Sequence, residues 1–282
     1  MKIKTKMLLI LIFILIFNLI KCYSSLTNGL VAYWNFDHAT YWKDPVYGGE
    51  PTVIGSGTPS RDTSVKKFGD GSLYVDGSSH LKIVNVGSWL PIGNSHYTIS
   101  LWFRATSFVR TGLPTANGPG FVAWGTSGQG FKWVGFRISN NAGGLLENGW
   151  GDDLDCSPTT CVLSLNTWYH AVATYDGATK KIYLNGELKA SRAASGKITT
   201  SVQFLIGKTV SLEFLTGWID DLYIYNRALS LSEIQSLYSS PIIVQTASTQ
   251  LQNMSTLSNN SFSGTRFDKK KKKVKDFLFI DL

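Results

Sequence analysis

From Gly29 to Tyr225 the chain is built of short apolar runs, several strictly alternating, separated by Gly, Asn, Asp and Ser. Period-2 spacing with turn residues between the runs predicts antiparallel strands that turn one face to a core. Leu30 to Phe36 reads as a first strand, and Ser72 to Val75 and Leu81 to Val84 follow, joined through Asp76-Gly77-Ser78-Ser79. The clearest alternation sets Tyr97, Ile99, Leu101 and Phe103 on one face against Thr98, Ser100, Trp102 and Arg104 on the other. Trp168 to Tyr175 predicts a long strand ending at an Asp176-Gly177 turn. Lys181 to Leu184 then runs into Asn185-Gly186, a strong hairpin signal because both positions tolerate positive φ. Two successive hairpins imply a meander, not a strand–helix–strand crossover.

One helix is predicted. Ser230-Leu231-Ser232-Glu233 fits a capping box, in which the serine oxygen takes an orphan N–H and the glutamate reaches back. Leu231, Ile234, Leu237 and Tyr238 form its apolar stripe, Pro241 closes it, and it is expected to pack at the edge of a sandwich.

The ends differ from the middle. Lys2, Lys4 and Lys6 precede an apolar run from Met7 to Ile20, which is short for a bilayer and fits a signal peptide over residues 1–23, cleaved between 22 and 25. An uncleaved signal anchor is the alternative. No later segment is apolar enough to cross a membrane, so a secreted, extracellular protein is expected. Residues 26–239 make the predicted domain, and 240–282 a polar, then polybasic tail of disordered composition. That tail carries two glycosylation sequons, at Asn253 and Asn259. Its run Lys269 to Lys273 with Lys275 reads as a solvated charge run, with anionic glycans as the partner if it binds anything.

The net charge of +8 belongs to these ends. Four of the 27 basic residues lie in the first 21 positions and seven in the tail, leaving sixteen against sixteen acidic residues between them. A neutral domain gives no support to nucleic-acid binding. Once Cys22 leaves with the signal, Cys156 and Cys161 remain, and an oxidising compartment favours a bridge around their short loop, with two free thiols as the alternative.

Several segments resemble laminin-G-like jelly-roll domains of the concanavalin A-like lectin/glucanase superfamily. These are Gly29 to Asp37, Phe68 to Gly77, Tyr97 to Phe103, Trp168-Tyr169-His170, Tyr183 to Leu188 and the closing Gly217 to Ser230 with Glu233-Ile234. Their order over about 210 residues is more telling than any one of them. The resemblance implies an all-β fold, a two-sheet antiparallel jelly-roll sandwich with one short C-terminal helix. It also implies extracellular binding functions, often toward glycans.

Glucanases of this fold carry their catalytic carboxylates as Glu-x-Asp-x-x-Glu on one strand. Here none of Glu50, Glu147, Glu187, Glu213 and Glu233 has an Asp two residues after it, and His80, His96 and His170 have no nucleophile elbow beside them. The expectation is a binding module and not an enzyme, with glycoside hydrolase as a minor alternative. Related glucanases hold a structural calcium between the first and last strands. By resemblance Asp37 and Asp220 would be its ligands, Asp220 having the inward phase if Leu222 and Ile224 face the core; hydrogen bonds to backbone N–H groups are the alternative.

Sugar sites combine an aromatic face with a few placed polar groups. Trp150 with Asp152 and Asp153, beside the cysteine pair, could supply that combination; the alternative is a solvated acidic loop with the indole in the core. Trp102 and Arg104 on one sheet face are the second candidate, unless Trp102 packs under a neighbouring loop. The sequence therefore reads as a secreted lectin-like module for glycans or glycosylated proteins, with calcium assistance, and as a protein-interaction or adhesion module in the alternative.

Overall fold

A computed structural model describes residues 25–38, 52–55, 57–84, 86, 88–109, 118–126, 130, 132–140, 143–149, 151–194, 196–209 and 212–240. The chain divides into two units, residues 1–242 and 243–282. The second unit, with Asn253, Asn259 and the lysine run, lies outside the described residues, as do the signal segment 1–23 and Trp150.

Strands are numbered along the chain, and every pairing among them is antiparallel. One sheet runs β13 (Glu187–Ala193), β12 (Thr179–Leu184), β11 (Tyr169–Tyr175), β6 (Tyr97–Ala105), β15 (Thr216–Tyr225), β4 (Ser72–Asp76), β3 (Ser60–Asp62), and β1 (Leu30–Trp34) also pairs with β15. The other runs β10 (Leu154–Cys156), β9 (Gly143–Asn148), β8 (Trp133–Asn140), β7 (Gly120–Gly125), β14 (Phe204–Ile206), β5 (Ser79–Ile83), β2 (Thr52–Gly55). Helix α1 (Leu231–Ser239) follows the last strand.

The predicted alternation decides which side chains seal the two layers. Tyr97, Ile99, Leu101 and Phe103 of β6 belong to the buried core, as do Leu73 and Val75 of β4 and Leu81 and Ile83 of β5. The Asp76–Ser79 connection therefore carries the chain from one sheet to the other, and the Asp76 carboxylate steadies it by accepting from the N–H groups of Ser78 (2.9 Å) and Ser79 (3.1 Å). Between the layers Trp34 of β1 stacks on Phe204 of β14 at 5.3 Å, and Trp124 of β7 stacks on the same ring at 6.0 Å. The meander β11–β12–β13 forms as expected, with Asn185 and Gly186 at φ 51° and 80° in its tight turn. The disulfide joins Cys156 and Cys161.

Two expectations are corrected. The first strand stops at Trp34, and Phe36 takes φ 55°, which breaks the extended path. Helix α1 packs beside the edge strand β13, as expected, and reaches from there over the outer face of the eight-stranded sheet: Tyr238 stacks on Trp102 at 5.5 Å and on His170 at 6.0 Å. The inward phase assigned to Asp220 fails because β15 carries a β-bulge. Its register against β6 shifts between Asp220 and Tyr223, with Asp221 at φ 45°, so Ile219, Leu222 and Ile224 all reach the core while Asp220 sits opposite the outward Trp102. At this bulge the outer neighbour of β15 changes from β4, paired up to Ile219, to β1, paired from Leu222.

The capping box of α1 forms between Ser230 and Glu233. Glu233 also accepts from Arg227 (2.7 Å) and from the Ser25 hydroxyl, while Arg227 donates to the carbonyls of Ser25 and Asn28 (both 2.7 Å). These contacts clasp the first described residues to the start of the last helix and hold the Glu233 carboxyl at about 2: burial opposes, but Arg227 and the serine donors prevail.

Candidate functional site

Of the three residues expected to form a sugar site beside the disulfide, Trp150 lies outside the described residues and the two acids face opposite ways. Asp153 is exposed, accepting from the N–H of Gly149 (3.0 Å) while its carbonyl takes Arg192 (2.6 Å). Asp152 turns inward and is buried. There it meets Glu147 of β9 and Lys180 of β12, both in the inward phase of their strands, and Lys197. Lys180 Nζ is 2.5 Å from Glu147 and 2.9 Å from Asp152, and Lys197 Nζ is 3.4 Å and 3.7 Å from the same two carboxylates. Tyr97 donates its hydroxyl to Glu147 at 2.5 Å.

These four charges sum to zero and bridge the two sheets. Burial alone would raise the Glu147 carboxyl, but Lys197 and Lys180 outweigh it and the net shift is downward. Burial likewise opposes the charge of Lys180, yet Glu147 and Asp152 hold its pKa above the ordinary value. At Lys197 burial wins, aided by Lys180, and the shift is downward. The quartet is walled from solvent and reads as an internal brace.

The expected metal pair is occupied by hydrogen bonds. Asp37 accepts from the N–H of Asp70 and Gly71 (3.1 Å) and from the Asn35 amide (2.9 Å). Asp220 accepts from the N–H groups of Lys67 (2.8 Å), Phe68 (3.1 Å) and Asp221 (2.9 Å). Asp221 takes the hydroxyls of Tyr33 (2.6 Å) and Tyr223 (3.3 Å) on one oxygen, and its other oxygen is buried without a hydrogen-bond partner among the described residues. Burial raises the Asp220 carboxyl to about 8 and the Asp221 carboxyl to about 7; the charge of Asp221 adds to the first and that of Asp37 to the second. Calcium needs six or more converging oxygens. As placed, Asp37 and Asp220 direct theirs at N–H donors, and among the described residues no group of three or more His, Cys, Asp or Glu side chains is arranged to hold a metal.

The second sequence candidate divides. Trp102 is buried under α1, with Lys67 Nζ 4.1 Å over its ring and His170 beside it at 5.3 Å. Arg104 lies away from the helix, its guanidinium 4.9 Å over the ring of Trp218 and its Nε donating to the Asn166 carbonyl (2.9 Å). Trp218 is the outward residue between the core residue Ile219 and Gly217 on β15, and Tyr74 is the outward residue between Leu73 and Val75 on β4. The pairing register sets them opposite each other, with ring centroids 5.1 Å apart.

Both rings are half-buried and line an open groove of about 320 Å³ together with Ser60, Arg61, Asp62 and Thr63. That volume lies at the small end of the range of about 300–1,000 Å³ typical of small-ligand sites. Asp62 fixes the tryptophan by accepting its indole N–H at 2.9 Å and is itself held by the N–H groups of Ser64 (2.8 Å) and Val65 (3.0 Å). Burial is overcome by these donors, and the carboxyl sits below its ordinary value. Arg61 donates through Nε to the carbonyl of Phe36 (3.1 Å) and through Nη2 to that of Asp70 (2.7 Å), which fixes its guanidinium at the groove. Two aromatic faces, a charged acceptor and a guanidinium donor around one groove can stack a sugar ring and bind its hydroxyls. Tyr74 and Trp218 both stand in segments recognisable from sequence, and the alternation signals that they point outward; what the sequence conceals is that β4 and β15 are neighbours.

Solved structures share the architecture. Domain 4 of an extracellular GH43 arabinanase from Geobacillus stearothermophilus, in complex with arabinotriose, is 21% identical with a TM-score of 0.56, covering 74% of this chain and 98% of that one. The binding domain of Paraclostridial Mosquitocidal Protein 1 is 18% identical with a TM-score of 0.56, covering 76% and 52%. The binding domain of Botulinum Neurotoxin DC in complex with SialylT is 16% identical with a TM-score of 0.55, again covering 76% and 52%. The chain thus spans about half the length of these toxin domains. At such identities the likeness shows the fold alone. No curated protein matches the chain in sequence. A family model does match, over residues 75–235, which is more than half of the chain, and the chain accordingly belongs to the concanavalin A-like lectin/glucanases superfamily.

Proposed function

We propose that the domain is a secreted carbohydrate-binding module that takes neutral or weakly polar glycans at the Tyr74–Trp218 groove. The carrying observation is the pair of outward aromatic rings, side by side across two neighbouring strands, with Asp62 and Arg61 at their rim. Fold relatives with bound saccharide, the arabinanase domain and the toxin binding domain, support the class of ligand.

A binding role without catalysis is supported by the state of the described glutamates. Glu147 and Glu213 are buried, Glu233 is tied to Arg227, and Glu187 lies exposed on the edge strand β13 against Lys189. None of the four stands at the groove.

A glycan array probed with the full mature chain, with and without chelator, tests the reading. Binding of neutral oligosaccharides such as arabinotriose is expected under both conditions, and Trp218→Ala should weaken it by at least about tenfold, as loss of a central aromatic contact does. No glycan bound in either condition, or equal binding by the variant, overturns the proposal. Binding lost only on chelation would restore the calcium expectation.

A further inference from the structure

The outer face of the seven-stranded sheet gathers three nitrogen-bearing side chains, His80, Lys82 and Lys208, around one ring. On β5, Leu81 and Ile83 face the core, so His80 and Lys82 point outward. Ile206 of β14 pairs with Leu81, and two residues on, Lys208 bridges to Phe214 through the backbone. This brings Lys208 alongside His80. Phe214 lies between them, with Lys208 Nζ 4.4 Å from its ring centroid and the His80 ring 5.8 Å away.

Among the described residues no carboxylate comes within ion-pair distance of Lys82 or Lys208. The charge of Glu213 reaches Lys208, but that carboxylate is already joined to Thr209 and lies 3.7 Å from Arg137. His80 is only 6% exposed, and its Nδ1 has no hydrogen-bond partner among the described residues. Burial, followed by Lys208 and Lys82, drives the His80 pKa down to about 4, and burial with Lys82 lowers that of Lys208 against the pull of Glu213. His80 is thereby held as a neutral imidazole, the charges of Lys82 and Lys208 oppose each other, and a bound anion relieves that repulsion.

We propose that His80, Lys82 and Lys208, grouped around Phe214, form a second binding site, selective for the carboxylate or sulfate group of an acidic saccharide. The site rests on the glycan-binding reading but lies on the opposite sheet from the Tyr74–Trp218 groove. A saccharide suits it better than a nucleic acid or a membrane, because the domain between the basic ends is neutral and offers no extended positive field. Phe214 supplies the apolar surface for the sugar C–H groups.

Calorimetric titration of the full chain with a sulfated heparin disaccharide, glucuronate, inorganic sulfate and arabinotriose tests the site. The disaccharide or glucuronate should bind more tightly than inorganic sulfate, and more weakly as salt is raised. Lys82→Gln with Lys208→Gln should weaken the acidic sugar at least about tenfold and leave arabinotriose unchanged. Trp218→Ala should do the reverse. Should the double variant melt early, Lys82→Gln alone, at a half-buried position, gives the same reading. The proposal is overturned if no acidic sugar binds, if the double variant binds it as tightly as wild type, or if bare sulfate binds as well as the saccharide. It also fails if Trp218→Ala abolishes acidic binding, which would assign both ligands to the groove. Acidic binding retained without any neutral binding would instead refute the groove alone.

Discussion

Replacing Lys180 by methionine keeps the side-chain length and removes the charge that two buried carboxylates share. In the wild type its ammonium stands 2.5 Å from Glu147, 2.9 Å from the Asp152 carboxylate and 2.7 Å from the Asp152 carbonyl. Lys197 alone would then face both acids from 3.4 Å and 3.7 Å, and the cluster would carry a net negative charge with almost no access to water. Breaking a buried pair in this way destabilises by about 3–5 kcal/mol, because the remaining charge has lost its partner and cannot be hydrated. At roughly 2–4 °C per kcal/mol for a domain of this size, the melting temperature should fall by about 6–20 °C. Adding Glu147→Gln removes the excess negative charge, leaves Lys197 with Asp152 and preserves an acceptor for Tyr97, so the double variant should recover most of the loss. Circular-dichroism melts of the wild type and both variants, at low and high salt, would measure this. A single variant melting within about 2 °C of wild type, or a double variant no more stable than the single one, would refute the brace.

Asp221→Asn should flatten the pH dependence of stability. The raised carboxyl values, about 7 and 8 for the Asp221–Asp220 pair against 3.8 ordinarily, mean that the folded chain holds protons more tightly than the unfolded one. That contribution is complete below the unfolded value and is lost progressively until pH has passed 7 to 8, so the wild-type melting temperature should decline between about pH 4 and 8 by this term. Calorimetric scans across that window check it, and an equal slope in the variant would count against it. Trp102→Ala should destabilise by about 3–5 kcal/mol, since it removes a buried ring stacked beneath α1, yet leave glycan binding intact; a variant that melts normally but loses sugar would reverse the assignment. Asn185→Ala should destabilise by about 1–2 kcal/mol, read from a lowered urea midpoint, for alanine tolerates φ 51° less well than asparagine and removes the acceptor for the His170 N–H. An unchanged midpoint would refute that.

The alternating strands, the Asn185-Gly186 turn and the capped helix could be read from local pattern because each depends on neighbours within a few residues. The quartet could not. Lys180 is in phase with the core residue Ile182, which is a local hint, but the acids that stabilise it come from another sheet and a loop far along the chain. Asp152 misleads in the same way: three acids among four successive residues suggest a solvated loop until β12 and Lys197 close over one of them. The bulge at Asp220-Asp221 hides for a different reason. Two successive aspartates look alike in sequence, and a single inserted residue reverses which side chains face the core, so the phase counted back from Leu222 gave the wrong side for Asp220. Trp218 lies next to that bulge, and its partner Tyr74 is some 140 positions earlier in the chain, which is why the groove emerges only from strand order.

The clasp between Ser25, Arg227 and Glu233 has an architectural consequence. Because the polypeptide enters the fold where the final helix begins, a single helix of nine residues is all that separates the point of entry from the end of the fold. Such a unit can be spliced into a host loop or repeated along a scaffold with little strain, as insertion-tolerant domains are. Tethered that way, it would pivot about one small region, and Arg227→Ala should loosen the pivot before it disturbs either sheet.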